Sequence, residues 1–371
     1  MFFAAVEIIK DPTLKGKPVI IGAADSKRGV VSTASYEARK FGVHSAMPIQ
    51  NAKKLCPQGI YLPGDYQAYS HYSKQMFQLF RNYSSLVCPM SIDEGYMDIS
   101  ESLMLFGGEE SLALSLKSDI QTSLGFSISV GVASTRVIAK IAASQNKPDG
   151  LTMIPDGYEK EFLSPLPIRE IPGIGKKSEP IFIAAGIKMI SDLYLHTELS
   201  LSKNFGKYGV SLWKTIHGIE DLSEYNPQGS ATKSISRETT FEEDVTDWNQ
   251  LDKEVMNLSR EVGFQVRKEK LSARTITIKV RYPNFLTLTR QKTYSQGIRE
   301  DVEIYQIAKE LIQKEFKKPF RLIGVGCSNF DDTMPSNLFE EMDPKKEIYT
   351  NTLDKIMEKF GKDKVKRGKE L

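Results

Sequence analysis

The stretch Ser91-Ile-Asp-Glu-Gly-Tyr-Met-Asp-Ile-Ser100 places two adjacent carboxylates, Asp93 and Glu94, between two short apolar runs. The flanking residues have β-type composition, so the pattern predicts a strand, a tight turn that carries the carboxylates, and a second strand. Adjacent carboxylates supply the oxygen ligands of hard divalent cations such as Mg²⁺, and such sites hold the cation against phosphates. An Asp-Glu pair alone is more typical of a solvated turn, so its context has to decide.

Length and composition set the broad class of the protein. A chain of 371 residues has room for about two to four domains. The formal net charge of +3 is too small to prove a nucleic-acid partner, although the C-terminal part leans basic. Cys56, Cys88 and Cys327 are too few and too far apart for a disulfide framework or a zinc site, which predicts a reducing, cytoplasmic location. No apolar run reaches membrane-spanning length and no signal peptide is evident, so no membrane is expected.

Periodicity predicts an α+β region followed by a separate C-terminal domain. The predicted strands are 17–22, 29–33, 126–132, 275–280 and 321–327. The predicted helices are 65–87, 108–123, 135–144, 248–268 and 301–314. Ser35 is a candidate cap of a further helix that breaks at Gly42, and the turn-forming cluster at 225–230 predicts a linker.

The ten-residue stretch resembles the Ser-Ile-Asp-Glu-x-Tyr-x-Asp motif of Y-family, lesion-bypass DNA polymerases of the DinB type. Further blocks occur in that family's order, so the resemblance covers nearly the whole chain. These blocks are Phe2-Phe-Ala-Ala-Val-Glu7, Ser35-Tyr-Glu-Ala-Arg-Lys-Phe-Gly42, Ser129-Val-Gly-Val132 with Ala139-Lys-Ile-Ala-Ala143, Lys147-Pro-Asp-Gly150 and Ile171-Pro-Gly-Ile-Gly175.

The resemblance implies an α+β multidomain protein with the right-hand architecture of a polymerase. The implied parts are fingers with a palm remnant at 2–64, a palm at 65–154, a helical thumb with a helix-hairpin-helix at 155–224, a linker at 225–232, a little finger at 233–331 and a C-terminal tail at 332–371. The implied activity is template-directed, low-fidelity DNA synthesis past damaged bases by a monomer. It needs two Mg²⁺ ions, dNTPs and primer-template DNA.

The resemblance also assigns roles to single residues at the nucleotide site. Asp93 and Glu94 match two of the family's three metal-binding acids and are the implied catalytic residues. Phe3 matches the aromatic residue that leaves no room for a ribose 2′-hydroxyl. Four residues are implied to bind the incoming nucleotide, a role for which an arginine fork and a phenol are chemically suited. They are Thr33, Tyr36, Arg39 and Lys147.

Two further sets of residues are implied to contact DNA. Gly173 and Gly175 match a hairpin whose backbone N–H groups approach a DNA phosphate. Pro180 falls inside the helix that should follow, and it is expected to delay that helix or to kink it. On a strand Lys279 and Arg281 share a face, and a larger set of cations is expected to line a groove along the duplex backbone. That set is Lys233, Arg237, Arg274, Lys279, Arg281, Arg290 and Lys292.

The C-terminal tail suggests one more partner. Leu338-Phe339 resembles the end of a sliding-clamp peptide, although Pro335 stands where a Gln is expected, so the sliding clamp is a candidate partner. Residues 349–360 are amphipathic and typical of a terminal helix.

The family's third metal-binding acid has no match in this sequence. It is an Asp in a pattern like Asp-x-Asp-x-Phe-Phe, and Met1 falls at the residue before the two aromatics. Neither Glu7 nor Asp98 is expected to replace it. Two interpretations stay open: a start placed too far downstream or a truncation, and a naturally shortened, catalytically inactive DNA-binding relative. A palm-type nucleotide cyclase would leave the helix-hairpin-helix and little-finger blocks unexplained.

Overall fold

The computed structural model describes residues 1–220, 231–331, 352–357 and 359. The predicted linker at 225–230 and the segment Leu338-Phe339 lie outside these residues. The chain divides into two compact units, Met1–Asp25 with Gly29–Ser230 and Ser26–Arg28 with Ala231–Leu371. Within the described ranges, every helix is too short or too polar to cross a membrane.

The first unit begins with a helix and a small three-stranded sheet. Its strands have the order β2-β1-β3, and Ser35 caps the helix that follows β2 by accepting a hydrogen bond from the Ala38 N–H at 3.3 Å. The predicted cap is confirmed, while the helix ends at Arg39, before Gly42. The elements are α1 Phe2–Lys10, β1 Val19–Gly22, β2 Val31–Ala34, α2 Tyr36–Arg39, α3 Ile49–Leu55 and β3 Ile60–Leu62.

The middle of the first unit contains the carboxylate hairpin and the helices that pack against it. Strands β4 and β5 pair antiparallel, with Pro89 opposite Gly95, as predicted. Strands β6 and β7 form a separate parallel pair. The elements are α4 Tyr66–Phe80, β4 Leu86–Pro89, β5 Gly95–Asp98, α5 Leu103–Phe106, α6 Glu109–Leu124, β6 Val130–Val132, α7 Arg136–Gln145 and β7 Leu151–Met153.

Three short helices and the longer α11 complete the first unit around their own apolar core. Helix α9 begins at Glu179, so Pro180 lies in its first turn, where the missing N–H would have no partner within the helix. Of the two expected effects of Pro180, a late start is the one observed. The elements are α8 Glu159–Leu163, α9 Glu179–Ala184, α10 Ile190–Leu193 and α11 Glu198–Ile216.

The second unit is a four-stranded antiparallel sheet with two helices packed on one face. The strand order is β10-β9-β11-β8, and the core lies between the sheet and the helices. The helices predicted at 248–268 and 301–314 are confirmed to within one residue. The elements are β8 Ser234–Val245, α12 Trp248–Lys268, β9 Ser272–Arg281, β10 Thr287–Ile298, α13 Asp301–Glu315 and β11 Phe320–Asp331.

A C-terminal segment packs against this second unit. Residues 352–357 are helical, Met357 is buried, and both carboxylate oxygens of Asp354 accept hydrogen bonds from Arg267 at 2.7 and 2.8 Å. The Arg267 and Asp354 side chains are only 10% and 18% exposed, so this pair is nearly withdrawn from water.

Asp354→Ala is therefore expected to lower the free energy of unfolding by about 3 kcal/mol, because it leaves an arginine charge buried without its partner. Glu310→Ala is the matched control, since Glu310 pairs with Lys292 at 3.3 Å on an exposed surface, where such a pair contributes about 1 kcal/mol or less. Thermal or urea unfolding measures both. Equal losses for the two variants would contradict the assignment of Asp354 as an anchor.

Candidate functional site

Asp93 and Glu94 lie in the turn between β4 and β5, and Ser91 organises that turn. The Ser91 Oγ accepts hydrogen bonds from the backbone N–H groups of Asp93 at 3.3 Å and Glu94 at 3.1 Å, and it donates one to the Asp93 carboxylate at 2.9 Å. The Glu94 carbonyl accepts from the N–H groups of Met90 and Ser91. The backbone of the turn is thus fixed locally, while both carboxylate side chains stay exposed.

Gly95 allows this hairpin to lie close against helix α4. A Cβ atom at position 95 would lie 2.5 Å from Cε1 of Phe77 and 3.0 Å from the Cys88 carbonyl oxygen. Because neither the buried ring nor the paired strand can move away cheaply, glycine is required directly after the carboxylates.

A cavity of about 730 Å³ opens beside the carboxylates. Its polar rim includes Tyr36, Asp93, Glu94, Lys140 and Lys147. Much of the remaining wall is apolar and comes from α1, α4, α6, α7 and strands β5 and β6. The cavity therefore brings together residues that lie more than 100 positions apart in the sequence.

Helix α2 presents Tyr36 and Arg39 on one face, as their spacing predicts. The guanidinium carbon of Arg39 lies 5.5 Å from the centroid of the Tyr36 ring, and its Nε donates to the Ala34 carbonyl at 3.1 Å. Thr33 lies next to this helix on β2, paired with Ile21. Of these three predicted residues, Tyr36 is the one that lines the cavity.

Phe3 belongs to an aromatic stack at the start of α1. Its ring lies parallel to that of the fully buried Tyr69, with centroids 4.2 Å apart, and Tyr66 contacts both rings edge-on. The Tyr69 hydroxyl donates to the Glu7 carboxylate at 2.7 Å. Burial, followed by this hydrogen bond, raises the pKa of Tyr69, so the phenol remains a donor. The ring contacts with Tyr66 and Tyr69 thus hold the Phe3 side chain in its orientation.

The turn that carries Lys147 is held by Lys117 on α6. The Lys117 ammonium donates to the carbonyls of Ile128 at 2.7 Å and Asp149 at 2.8 Å, and it pairs with the Asp149 carboxylate. Its side chain is 14% exposed. One largely buried cation thus joins α6, the segment before β6 and the turn after α7.

The oxygen ligands at the carboxylate turn fit a hard divalent cation. Asp93 and Glu94 offer only carboxylate oxygens, and Mg²⁺ is commonly held by one or two carboxylates together with substrate phosphates and water. Within the described part of the chain, no group of three or more His, Cys, Asp or Glu residues is arranged for a metal ion. Glu7 and Asp98 are engaged elsewhere, with Tyr69 and Ser100 respectively.

Comparison with known proteins decides the family. The impB/mucB/samB family model matches residues 1–144, the model of the family's C-terminal domain matches 232–338, and the HHH motif of the IMS family matches 156–187. A DNA polymerase IV from Desulfatibacillum aliphaticivorans is 40% identical over 98% of this chain and 93% of its own length. The chain belongs to the impB/mucB/samB family.

Relatives and solved structures place this family among the Y-family DNA polymerases. A DNA polymerase IV from Staphylococcus aureus (strain JH9) is 40% identical over 91% of this chain and 95% of its own length. A Y-family polymerase chimera of Dbh and Dpo4 superposes with a TM-score of 0.77 at 28% identity, covering 88% of this chain and 96% of that one. An insertion ternary complex of Dbh has a TM-score of 0.60 at 27% identity, with the same coverage of both chains.

The chain is a translesion DNA polymerase of the DinB type with a right-hand fold, as the resemblance implied. Its partners are DNA and dNTPs, and the family implies dependence on a divalent metal ion.

The polymerase's predicted DNA hairpin lies between Ile171 and α9. Gly173 has a φ of +94°, which a residue with a side chain adopts only with strain, and it lines the cavity. The N–H of Gly175 donates to the Ser178 Oγ at 3.0 Å, so this donor already has a local partner.

The register of the C-terminal sheet separates the predicted DNA-contacting cations. Arg237 and Arg290 lie on the same rung as the buried Ile278, which places them on the face that α12 and α13 cover. Each forms an ion pair with a glutamate of one of those helices, at 3.5 and 3.4 Å. Lys292 lies on the same face and pairs with α13 at 3.3 Å. The set does not form one groove.

The open face of this sheet holds two of the remaining strand cations. Lys279 and Arg281 point to it, as their spacing predicts, and Lys279 pairs with Glu238 at 2.6 Å. Arg274 alternates with Lys279 and Arg281 along β9 and therefore does not share their face; it pairs with Asp331 at 2.7 Å. Lys233 lies exposed just before β8. Small Ser, Thr and Gly residues make up much of the surface around Lys279.

Sequence reasoning missed several residues that shape the site: Ser91, Tyr69, Lys117 and Lys140. Ser91 had a usable signal, because a serine two residues before an aspartate commonly bonds to the backbone of a turn. The other three act through contacts with residues 32 to 62 positions away, which no local pattern encodes.

Proposed function

We propose that the polymerase adds nucleotides at the turn between β4 and β5, with Asp93 and Glu94 as ligands of two Mg²⁺ ions. The observation that carries the proposal is the shared cavity rim, where Tyr36 and Lys147 join the two carboxylates. When bound, the ions would activate the primer 3′-hydroxyl and neutralise charge on the triphosphate. The bond that forms joins the primer oxygen to the α-phosphorus, and the bond that breaks releases pyrophosphate.

The residues of the chain then act by positioning and by charge. Tyr36, Arg39 and Lys147 bind the triphosphate oxygens, with Thr33 beside them, because phenol, guanidinium and ammonium groups all donate to phosphate. The Phe3 ring lies against the deoxyribose and excludes a 2′-hydroxyl. Because the fingers are small, they test the shape of the nascent base pair only loosely, and the fidelity of DNA synthesis is low.

We assign the right-hand parts as the sequence suggested: fingers 2–64, palm 65–154, thumb 155–224 and little finger 233–331. Gly173 and Gly175 contact a DNA phosphate, and Lys279 and Arg281 contact the duplex backbone. Leu338-Phe339 binds the sliding clamp, and the protein acts as a monomer. All three cysteines are free, which supports a reducing, cytoplasmic location.

Primer extension tests the proposed site, on an undamaged template and on one that carries an abasic site. The chain is assayed as it stands and with a short strand of the Asp-x-Asp pattern added before Met1, because the sequence leaves two interpretations open. Mg²⁺-dependent extension by either form, lost in the Asp93→Ala, Glu94→Ala double variant, supports the proposal. Salt-sensitive DNA binding without extension by either form would favour the DNA-binding interpretation and overturn the proposal.

Lys117→Met is expected to raise the KM for dNTPs about ten-fold with a smaller change in kcat, because the Lys147 turn loses its internal anchor. Lys117→Arg should restore part of the loss, and Lys74→Met is the control for an exposed lysine of the same unit. Steady-state kinetics of single-nucleotide insertion separates the two constants. A fall in kcat with an unchanged KM would show that Lys117 does not act through the triphosphate site.

A further inference from the structure

Lys140 lies directly against one of the two candidate metal ligands. It belongs to α7, and its Nζ atom is 2.6 Å from Oε2 of Glu94. The two side chains are 39% and 49% exposed, and both line the cavity. The contact is therefore an ion pair between a lysine and a candidate metal ligand at the edge of the cavity.

The backbone of α7 is fixed, so this contact does not depend on a mobile segment. Helix α7 lies so close to β6 that a Cβ atom at Gly131 would be 2.1 Å from the Ala139 carbonyl oxygen and 2.5 Å from the Ala143 nitrogen. Ile138 and Ile141 are buried on either side of Lys140. At the start of the helix, Thr135 caps the backbone and Arg136 pairs with Glu220.

Other charges near Lys140 do not replace it at Glu94. Asp93 and the half-buried Tyr96 line the same cavity as Lys140. Lys147 lines the same rim and Arg136 lies one helical turn away, already engaged with Glu220. In the described part of the chain, Lys140 thus donates a hydrogen bond directly to a candidate metal ligand.

We propose that Lys140 is a positioning residue that competes with divalent cations for Glu94. In the metal-free polymerase, the Lys140 ammonium is hydrogen-bonded to Oε2 of Glu94. A divalent cation that binds Oε2 must therefore displace the ammonium. A divalent cation that binds Oε1 instead lies beside its positive charge. Metal affinity is therefore low until the triphosphate brings its own negative charge. This inference rests on the proposed metal-binding role of Glu94.

Mn²⁺ binding in the absence of DNA and nucleotide tests this inference without turnover. The free Mn²⁺ signal in electron paramagnetic resonance gives the Kd for the wild-type chain, Lys140→Met, Lys140→Arg and the control Lys74→Met. We expect Lys140→Met to bind Mn²⁺ about ten-fold more tightly, because a like charge is removed within a few ångströms of the site. Lys140→Arg and Lys74→Met should stay close to wild type.

A Glu94→Gln background separates this inference from the proposed function. If Glu94 is the shared group, Lys140→Met should have no effect on Mn²⁺ affinity once Glu94 is replaced. Unchanged or weaker binding by Lys140→Met, in a chain whose Mn²⁺ binding depends on Glu94, would overturn the inference alone. Mn²⁺ binding that does not depend on Glu94 would overturn the proposed metal site and the inference with it. Circular dichroism confirms that each variant is folded.

Discussion

Glu94→Gln and Asp93→Asn are each expected to lower the rate of nucleotide addition by about 10³-fold or more, because a neutral amide cannot hold a divalent cation against a triphosphate. The turn should keep its shape in both variants, because backbone groups make most of its hydrogen bonds. The Ser91 hydroxyl accepts from the N–H groups of residues 93 and 94, and the carbonyl of residue 94 accepts from the N–H groups of Met90 and Ser91. Single-turnover insertion of a correct dNTP measures the loss of rate. The assay uses the form of the polymerase, with or without the added N-terminal strand, that extends primers.

Asp98→Asn is the matched control on the same hairpin. Asp98 lies at the far end of β5, where its carboxylate accepts hydrogen bonds from the N–H and the hydroxyl of Ser100. The rate should change less than about three-fold, since an exposed side chain away from the chemistry has little effect. DNA affinity should remain near wild type in all three variants. A loss in Asp98→Asn as large as in Glu94→Gln would mean that the hairpin acts through its fold and not through metal binding.

Phe3→Val is expected to lower the preference for dNTPs over rNTPs by about 10²-fold or more, because the ring that would fill the space of the 2′-hydroxyl is removed. Incorporation of the correct dNTP should change much less. Insertion kinetics with matched pairs, such as dCTP and CTP opposite a template guanine, gives the ratio of kcat/KM values. Phe3→Tyr keeps the ring and should keep most of the preference.

The stack behind Phe3 gives the same prediction an independent check. Tyr69→Leu removes the parallel ring at 4.2 Å and should lower the sugar preference in the same direction. Tyr69→Phe loses only the hydrogen bond to Glu7 and should have a smaller effect. If Phe3→Val discriminates against rNTPs as strongly as wild type, another residue excludes the 2′-hydroxyl.

The sequence predicts those parts of the molecule that depend on near neighbours. Ser35 precedes a helix and caps it, and the apolar runs on both sides of Asp93 and Glu94 pair as a hairpin. Pro180 correctly indicated that the helix after the hairpin could not run on regularly from its expected start. The sequence did not show whether the helix would start late or kink, because several weak interactions together set a helix boundary.

Sequence patterns could not predict contacts between elements that are distant along the chain. The pair Lys140–Glu94 and the stack of Phe3 on Tyr69 join residues 46 and 66 positions apart, so spacing carries no signal for them. In the C-terminal sheet, alternation placed Lys279 and Arg281 on one face, but it could not show that Arg290 on the next strand faces the helices. That result depends on pairing register, and a one-residue shift would reverse it.

A crystal structure of the polymerase with primer-template DNA, a matched dNTP and Ca²⁺ would show whether Asp93 and Glu94 bind the catalytic cations, since Ca²⁺ takes the same oxygen ligands. We expect a cation within about 2.6 Å of a carboxylate oxygen of both Asp93 and Glu94. We also expect the triphosphate within hydrogen-bond distance of Tyr36, Arg39 and Lys147. A triphosphate bound elsewhere, or a cation that contacts neither carboxylate, would contradict the proposed site.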